Sequence, residues 1–255
     1  MDLFGAEQKE EGDLATYVLV HGAWQGASTW AFVEEGLRAR GHTVHTPTMS
    51  GAGIRQYELR PEITLETHVK DVLGVLEFED LQNVILVGHS YGGMIITSVA
   101  EHAAERLATL VYIDAFVPKD GQSAFEFFPP WLADALTQQA DELGDGWRLP
   151  GFEGRLDLWA LKKGPHRDFV RTKLTDFAIS CFKSPARLPT HAAARLKRAF
   201  IACKAEGYRL GEVFEPFAAQ ARREGWPYIA LSTGHDCHVE AADECVSFLS
   251  GLAGD

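Results

Sequence analysis

Short apolar runs punctuate the chain at Tyr17 to Val20, Val84 to Val87, Leu110 to Ile113, Phe200 to Cys203 and Tyr228 to Leu231. Each run is continuous instead of alternating, so both faces of the predicted strand need cover, as in a parallel sheet flanked by helices. Thr43 to Thr46 adds a weaker strand. Between the runs the spacing becomes helical. Leu65, Val69, Val72, Leu73 and Leu76 share one helix face, with Thr64 at the N-cap position. Trp30 to Arg40 predicts a second helix, capped by Ser28 or Thr29 and ended by Gly41 at positive φ. Met94 to Ala103 and Asp243 to Leu252 predict two more. Alternating strands and helices specify an α/β class, with a mostly parallel central sheet and helices on both faces.

From about Pro118 to Leu196 this rhythm gives way to an aromatic, proline-rich stretch that includes Phe125, Phe127, Phe128, Pro129, Pro130, Trp131, Trp147 and Trp159. It is expected to form a helical lid, inserted between strands at about 118–196 and lying over the site. Residues 15–255 then make a single domain, since α/β folds of this length commonly share one core. Residues 1–14 are acidic and mostly polar, unlike a secretory signal, and are expected to be a flexible lead-in.

Charge and composition narrow the partners. A formal charge of −12 repels nucleic-acid phosphates and anionic membranes, and no apolar segment is long enough to span a bilayer. A small, neutral or weakly polar molecule is the expected partner. Cys181, Cys203, Cys237 and Cys245 are unevenly spaced without a C-x-x-C, which suggests neither a zinc finger nor a disulfide framework and fits a cytoplasmic location.

The strand at Val84 to Val87 runs straight into Gly88-His89-Ser90-Tyr91-Gly92-Gly93 and a helical segment follows. This strand–turn–helix context is what the G-x-S-x-G nucleophile elbow of α/β-hydrolases requires, and it makes Ser90 the expected nucleophile. Side chains at Gly88 and Gly92 would collide with neighbouring backbone. After the first strong strand, His21-Gly22-Ala23 forms a loop that can aim the Ala23 N–H at a substrate oxygen. The Tyr91 N–H supplies a second oxyanion donor. His21 is expected to buttress this loop and not to transfer protons.

With HGAWQGASTW, GHSYGG and TGHD in this order, and VYIDAFVPKDGQS at 111–123, the chain resembles the small α/β-hydrolases that include plant methylesterases, hydroxynitrile lyases and bacterial esterases. The resemblance spans nearly the whole chain. It implies a serine, acid and histidine triad and a small-molecule ester as substrate, with no cofactor. The lyases carry threonine where this chain has Gly22 and lysine where it has Asp236, and both departures favour hydrolysis.

The resemblance and the topology together make His235, in the loop after the last strand, the expected base. Aligning Phe200 to Glu206 with the family's segment puts Glu206 where those relatives have aspartate, so Glu206 is the favoured acid and Asp114, after an earlier strand, the alternative. The run His235-Asp236-Cys237-His238 invites a metal, but nearness in sequence does not make ligands converge, and no metal is expected. His238 is placed at the pocket entrance or at the start of the last helix. The function expected is a serine carboxylic ester hydrolase that cleaves a small to medium, largely apolar ester through an acyl-enzyme. The alternatives are a ligand receptor with a retained pocket, or a lyase or C–C hydrolase on the same fold.

Overall fold

The computed structural model describes residues 14–254. Apart from Leu14, the expected lead-in lies outside the described residues. Strands β1 (Thr16–Val20), β2 (Thr43–His45), β3 (Val84–His89) and β4 (Leu107–Ile113) join β7 (Lys197–Cys203) and β8 (Tyr228–Leu231) in one sheet. The order is β2-β1-β3-β4-β7-β8, and every pairing is parallel. All of β3 is buried, which needs cover on both faces and explains its unbroken apolar run.

Helix α1 (Ala31–Ala39) packs on α10 (Ala242–Gly251), and α2 (Leu65–Phe78) packs on α3 (Gly92–Ala103). The Thr64 N–H donates to the Thr67 hydroxyl at 3.2 Å as part of a capping box at the start of α2. Gly41 ends the α1 segment at φ +89°. Ser28 and Thr29 differ from expectation. They lie inside a 3₁₀ turn, Ala27–Trp30, and the Thr29 hydroxyl donates to the Gly26 carbonyl instead of accepting from a helix amide. No helix among the described residues is long and apolar enough to cross a membrane.

Residues 114–196 connect β4 to β7 and carry α4 (Pro130–Leu143), α5 (Gly154–Leu158), α6 (Pro165–Arg171) and α7 (Ile179–Lys183). Two short antiparallel strands, β5 (Arg148–Leu149) and β6 (Phe177–Ala178), tie this insertion together. It is stitched to the loop after β1 by the Trp24 indole N–H, which donates to the Leu149 carbonyl at 3.1 Å, and by the Thr175 N–H, which donates to the Trp24 carbonyl at 2.8 Å.

The register sets the site. His89 pairs with Ile113, and Ile113 with Ile201, so Ser90 and Asp114 leave adjacent strands at the same level. Cys203 pairs with Leu231, which starts the loops to Tyr208 and His235 from neighbouring strand ends. In an open parallel sheet, ligands bind beyond these carboxyl ends.

Candidate active site

Ser90 sits at φ +56°, a left-handed conformation that a non-glycine residue keeps only where its surroundings enforce it. Those surroundings are specific. The Ser90 N–H donates to the Ile113 carbonyl at 3.1 Å, and the Ser90 carbonyl accepts from Gly93 at 3.0 Å and Phe116 at 3.3 Å. A Cβ on Gly88 would stand 2.6 Å from the Gly92 oxygen, and one on Gly92 would stand 2.7 Å from the Val20 oxygen. The two elbow glycines therefore permit the turn. Ser90 is partly exposed although both its neighbours are buried.

His235 is buried behind Ser90 in a loop fixed at several points. Its N–H donates to the Trp159 carbonyl at 2.8 Å, and its carbonyl accepts from His89 Nε2 at 3.0 Å. The Phe214 ring stacks on the imidazole at a centroid distance of 5.0 Å and an angle of 17°. His235 Nδ1 lies 2.7 Å from Asp114 Oδ2. Since the carboxylate accepts, Nδ1 carries the proton and Nε2 is left without one, in a residue that lines the same cavity as Ser90.

The acid preferred from sequence is not the one at the ring. Glu206 is solvent-exposed, and no hydrogen bond joins it to His235. Asp114 is 98% buried and, like Ser90, holds a left-handed φ, of +42°. The reason is positional. Asp114 leaves β4 beside Ser90, whereas the chain after β7 turns outward at Lys204 before it returns with Tyr208. Asp114 Oδ1 accepts the Cys203 N–H at 3.2 Å. Its Oδ2 also accepts the Tyr208 hydroxyl at 2.5 Å, and that hydroxyl lies 2.7 Å from His235 Nδ1. Burial, reinforced by Asp114, keeps the Tyr208 phenol well above its ordinary pKa, so it acts as a neutral donor. Tyr208 gave no signal in the sequence beyond its place two residues after Glu206.

Ala23 and Tyr91 are both buried beside the elbow, and among the described residues no backbone hydrogen bond engages either amide. His21 holds the Ala23 loop from beneath: Nε2 accepts the Met49 N–H at 3.1 Å, so Nδ1 donates to the Gly22 carbonyl at 2.8 Å. Burial lowers its pKa to about 4, which keeps it neutral. The Tyr91 hydroxyl points away from the reaction, 3.2 Å from His68 Nδ1.

His89, Asp236 and His238 bring ligand-type atoms within 4.8 Å of one another, all buried. His89 Nε2 is already committed to the His235 carbonyl, and Asp236 Oδ1 accepts from Gln25 Nε2 at 2.9 Å. A cation there would compete with the bond that steadies the loop of His235. Burial raises the Asp236 pKa to about 6, against the opposing pull of His235 and Gln25. His238 is not at an entrance. It is fully buried, with its ring 4.5 Å from that of Trp30.

The cavity shared by Ser90 and His235 is walled by Trp24, Phe116, Phe128, Trp159, Phe182 and Phe214, and Arg155 also lines it. Arg155 is a residue that the sequence pattern did not single out.

The family model described as "Alpha/beta hydrolase family" matches residues 17–248. A carbendazim hydrolyzing esterase from Nocardioides sp. (strain SG-4G) is 34% identical, over 94% of this chain and 100% of that protein. Methylesterase 4 of Arabidopsis thaliana is 34% identical over 43% of this chain, and the match spans 42% of its own length. Among solved structures, an extracellular alpha/beta-hydrolase from a Paenibacillus species superimposes with a TM-score of 0.81 at 22% identity, covering 94% of this chain and all of that one. A pyrethroid hydrolase from Sphingobium faniae JZ-2 gives a TM-score of 0.72 at 20% identity, covering 94% of this chain and 97% of its own.

Proposed function

Because the chain belongs to the alpha/beta hydrolase family, we propose that it is a serine carboxylic ester hydrolase in which Ser90, His235 and Asp114 form the triad. The observation that carries this reading is the shared cavity, lined by a strained elbow serine and by a histidine whose Nδ1 is held by a buried carboxylate. His235 Nε2 takes the Ser90 proton as Oγ bonds to the ester carbonyl carbon, and the carbonyl oxygen gains the negative charge. The Ala23 and Tyr91 amides receive that charge, which preorganised donors stabilise without reorganising. The intermediate collapses, His235 returns the proton to the departing alcohol, and water releases the acid from Ser90 by the same steps. No cofactor is required.

The insertion at about 118–196 acts as the lid, and its aromatic side chains favour a small to medium, largely apolar ester. The name of the Nocardioides relative gives carbendazim as a compound it hydrolyses, so carbendazim belongs in the first substrate panel. A lyase reading loses support at Gly22, where a Cβ would stand 2.9 Å from the Ser90 Cβ. The threonine of the lyases does not fit beside this serine as it stands.

The direct test is Ser90→Ala. With p-nitrophenyl acetate or butyrate, turnover should fall by about 10³-fold or more while fold and ligand binding persist. A folded variant with near-normal turnover would overturn the mechanism, and a wild-type protein that turns over no ester in the panel would favour a receptor role.

A further inference from the structure

Arg155 is 97% buried, yet it has no carboxylate of its own among the described residues. The neighbouring lid arginines differ in this respect. Arg148 reaches Asp176 at 2.5 Å and Arg167 reaches Asp157 at 2.8 Å. Arg155 Nε donates to the Pro150 carbonyl at 3.0 Å and Nη2 to Gln139 Oε1 at 3.1 Å, both neutral acceptors. A guanidinium has five N–H donors, and Nη1 has no acceptor among the described residues but keeps some access to solvent. Its Cζ lies over Trp24, 3.6 Å from the ring centroid, on the wall of the cavity that holds Ser90 and His235.

Burial pushes the Arg155 pKa down to about 9, which leaves it a cation at neutral pH. A buried charge with unused donors is costly unless an acceptor meets it. The remaining walls are mainly aromatic and aliphatic and supply none, so once a ligand displaces water from the cavity the acceptor has to come with the ligand. Burying a carboxylate among these apolar walls carries a desolvation penalty that an uncharged acceptor largely avoids, which points to an uncharged acceptor. The aromatic walls favour a flat ring to carry it.

We propose that Arg155 is a specificity-determining residue that selects aromatic esters or carbamates bearing an uncharged hydrogen-bond acceptor, a ring nitrogen or a carbonyl or ether oxygen, away from the scissile bond. This deepens the esterase reading and rests on it for the identity of the scissile group. Recognition itself is separable from turnover. A hydrogen bond to a charged group contributes about 1.5–3 kcal/mol, so an acceptor should be worth about 10- to 100-fold over a hydrocarbon of the same shape.

The test uses two isosteric probes, quinoline and naphthalene, as calorimetric ligands of the full chain, with 6-quinolinyl and 2-naphthyl acetate as the matching substrates. The wild type should bind quinoline at least about 10-fold more tightly than naphthalene. Arg155→Met should reduce that ratio to within about twofold by weakening quinoline alone, and the kcat/KM ratio of the two acetates should fall in parallel; comparing variants cancels the difference in leaving group. Equal wild-type affinities would overturn the proposal. So would an equal loss for both probes in Arg155→Met, which would make Arg155 only a clamp on Trp24. If Arg155→Met does not fold, the wild-type pair and Arg155→Lys, which should keep part of the preference, still decide. Selective binding without ester turnover would sink the esterase reading and leave this one standing; turnover without selectivity would do the reverse.

Discussion

Three polar atoms meet within 2.7 Å of one another at the back of His235: its own Nδ1, Asp114 Oδ2 and the Tyr208 hydroxyl. The ionised carboxylate can accept from the ring N–H and from the phenol together. Asp114→Asn should therefore lower kcat by about 10³- to 10⁴-fold, since an amide can donate to the ring and invite the wrong tautomer. Glu206→Gln should stay within about twofold, as expected for an exposed side chain away from the site. Tyr208→Phe leaves Asp114 with one donor fewer, so its charge acts more strongly on the imidazolium. We expect kcat to fall about 10-fold with KM little changed, and the acid limb of the pH profile to move to higher pH. An unmoved limb, with activity lost only through unfolding, would reduce Tyr208 to a packing residue. The elbow and the last-strand histidine were legible because their chemistry demands fixed neighbours, Gly88, Gly92 and a strand end. The acid was not, because both candidates follow strands, and the choice depends on register and on how the 204–208 loop turns.

Among the elements, the buried runs were legible where they were continuous, and their ends were not. β4 starts at Leu107 and β7 at Lys197, both earlier than their apolar cores, since pairing with a neighbouring strand extends them through Thr109 and through Lys197 and Arg198, polar residues that break the apolar run. The 114–196 insertion was legible as aromatic but not in its internal order, because its helices are short and side chains from several of them assemble the cavity wall. Two glycines in helices that pack on each other show how differently one element tolerates change. A Cβ on Gly93 would stand 2.1 Å from the Phe116 carbonyl oxygen, backbone against backbone, whereas one on Gly74 in α2 meets nothing within 4 Å. Gly74→Ala should thus stabilise the protein by about 0.5–1 kcal/mol, raising the thermal midpoint by a few degrees. Gly93→Ala should cost about 3 kcal/mol or more and displace the elbow, so that activity falls further than stability. Equal midpoints for the two variants would refute the close α3 contact.

At the scale of the molecule, the unusual burden is buried imidazole. His21, His68, His89 and His238 are all buried, and burial first of all lowers their pKa values, to about 4 for His21 and His68, to about 3 for His238, and well below 6.5 for His89. Each stays neutral in the folded chain at a pH where the unfolded chain would protonate it. Asp236 works in the opposite sense, since burial raises its pKa to about 6 and the folded state holds a proton that the unfolded state would release. Near pH 5 the unfolded chain therefore binds about three more protons than the folded one from these groups. Stability rises with pH wherever the unfolded state binds more protons, so the loss begins as pH falls below about 6.5 and steepens toward pH 5. Urea unfolding midpoints measured from pH 7.5 to 4.5 should fall as pH drops through the 6.5 to 5 range. His238→Phe, which keeps an aromatic ring against Trp30 and removes one titrating group, should make that drop shallower by about one proton. A midpoint that is flat between pH 6.5 and 5 would mean that these rings find partners or water that let them charge in place.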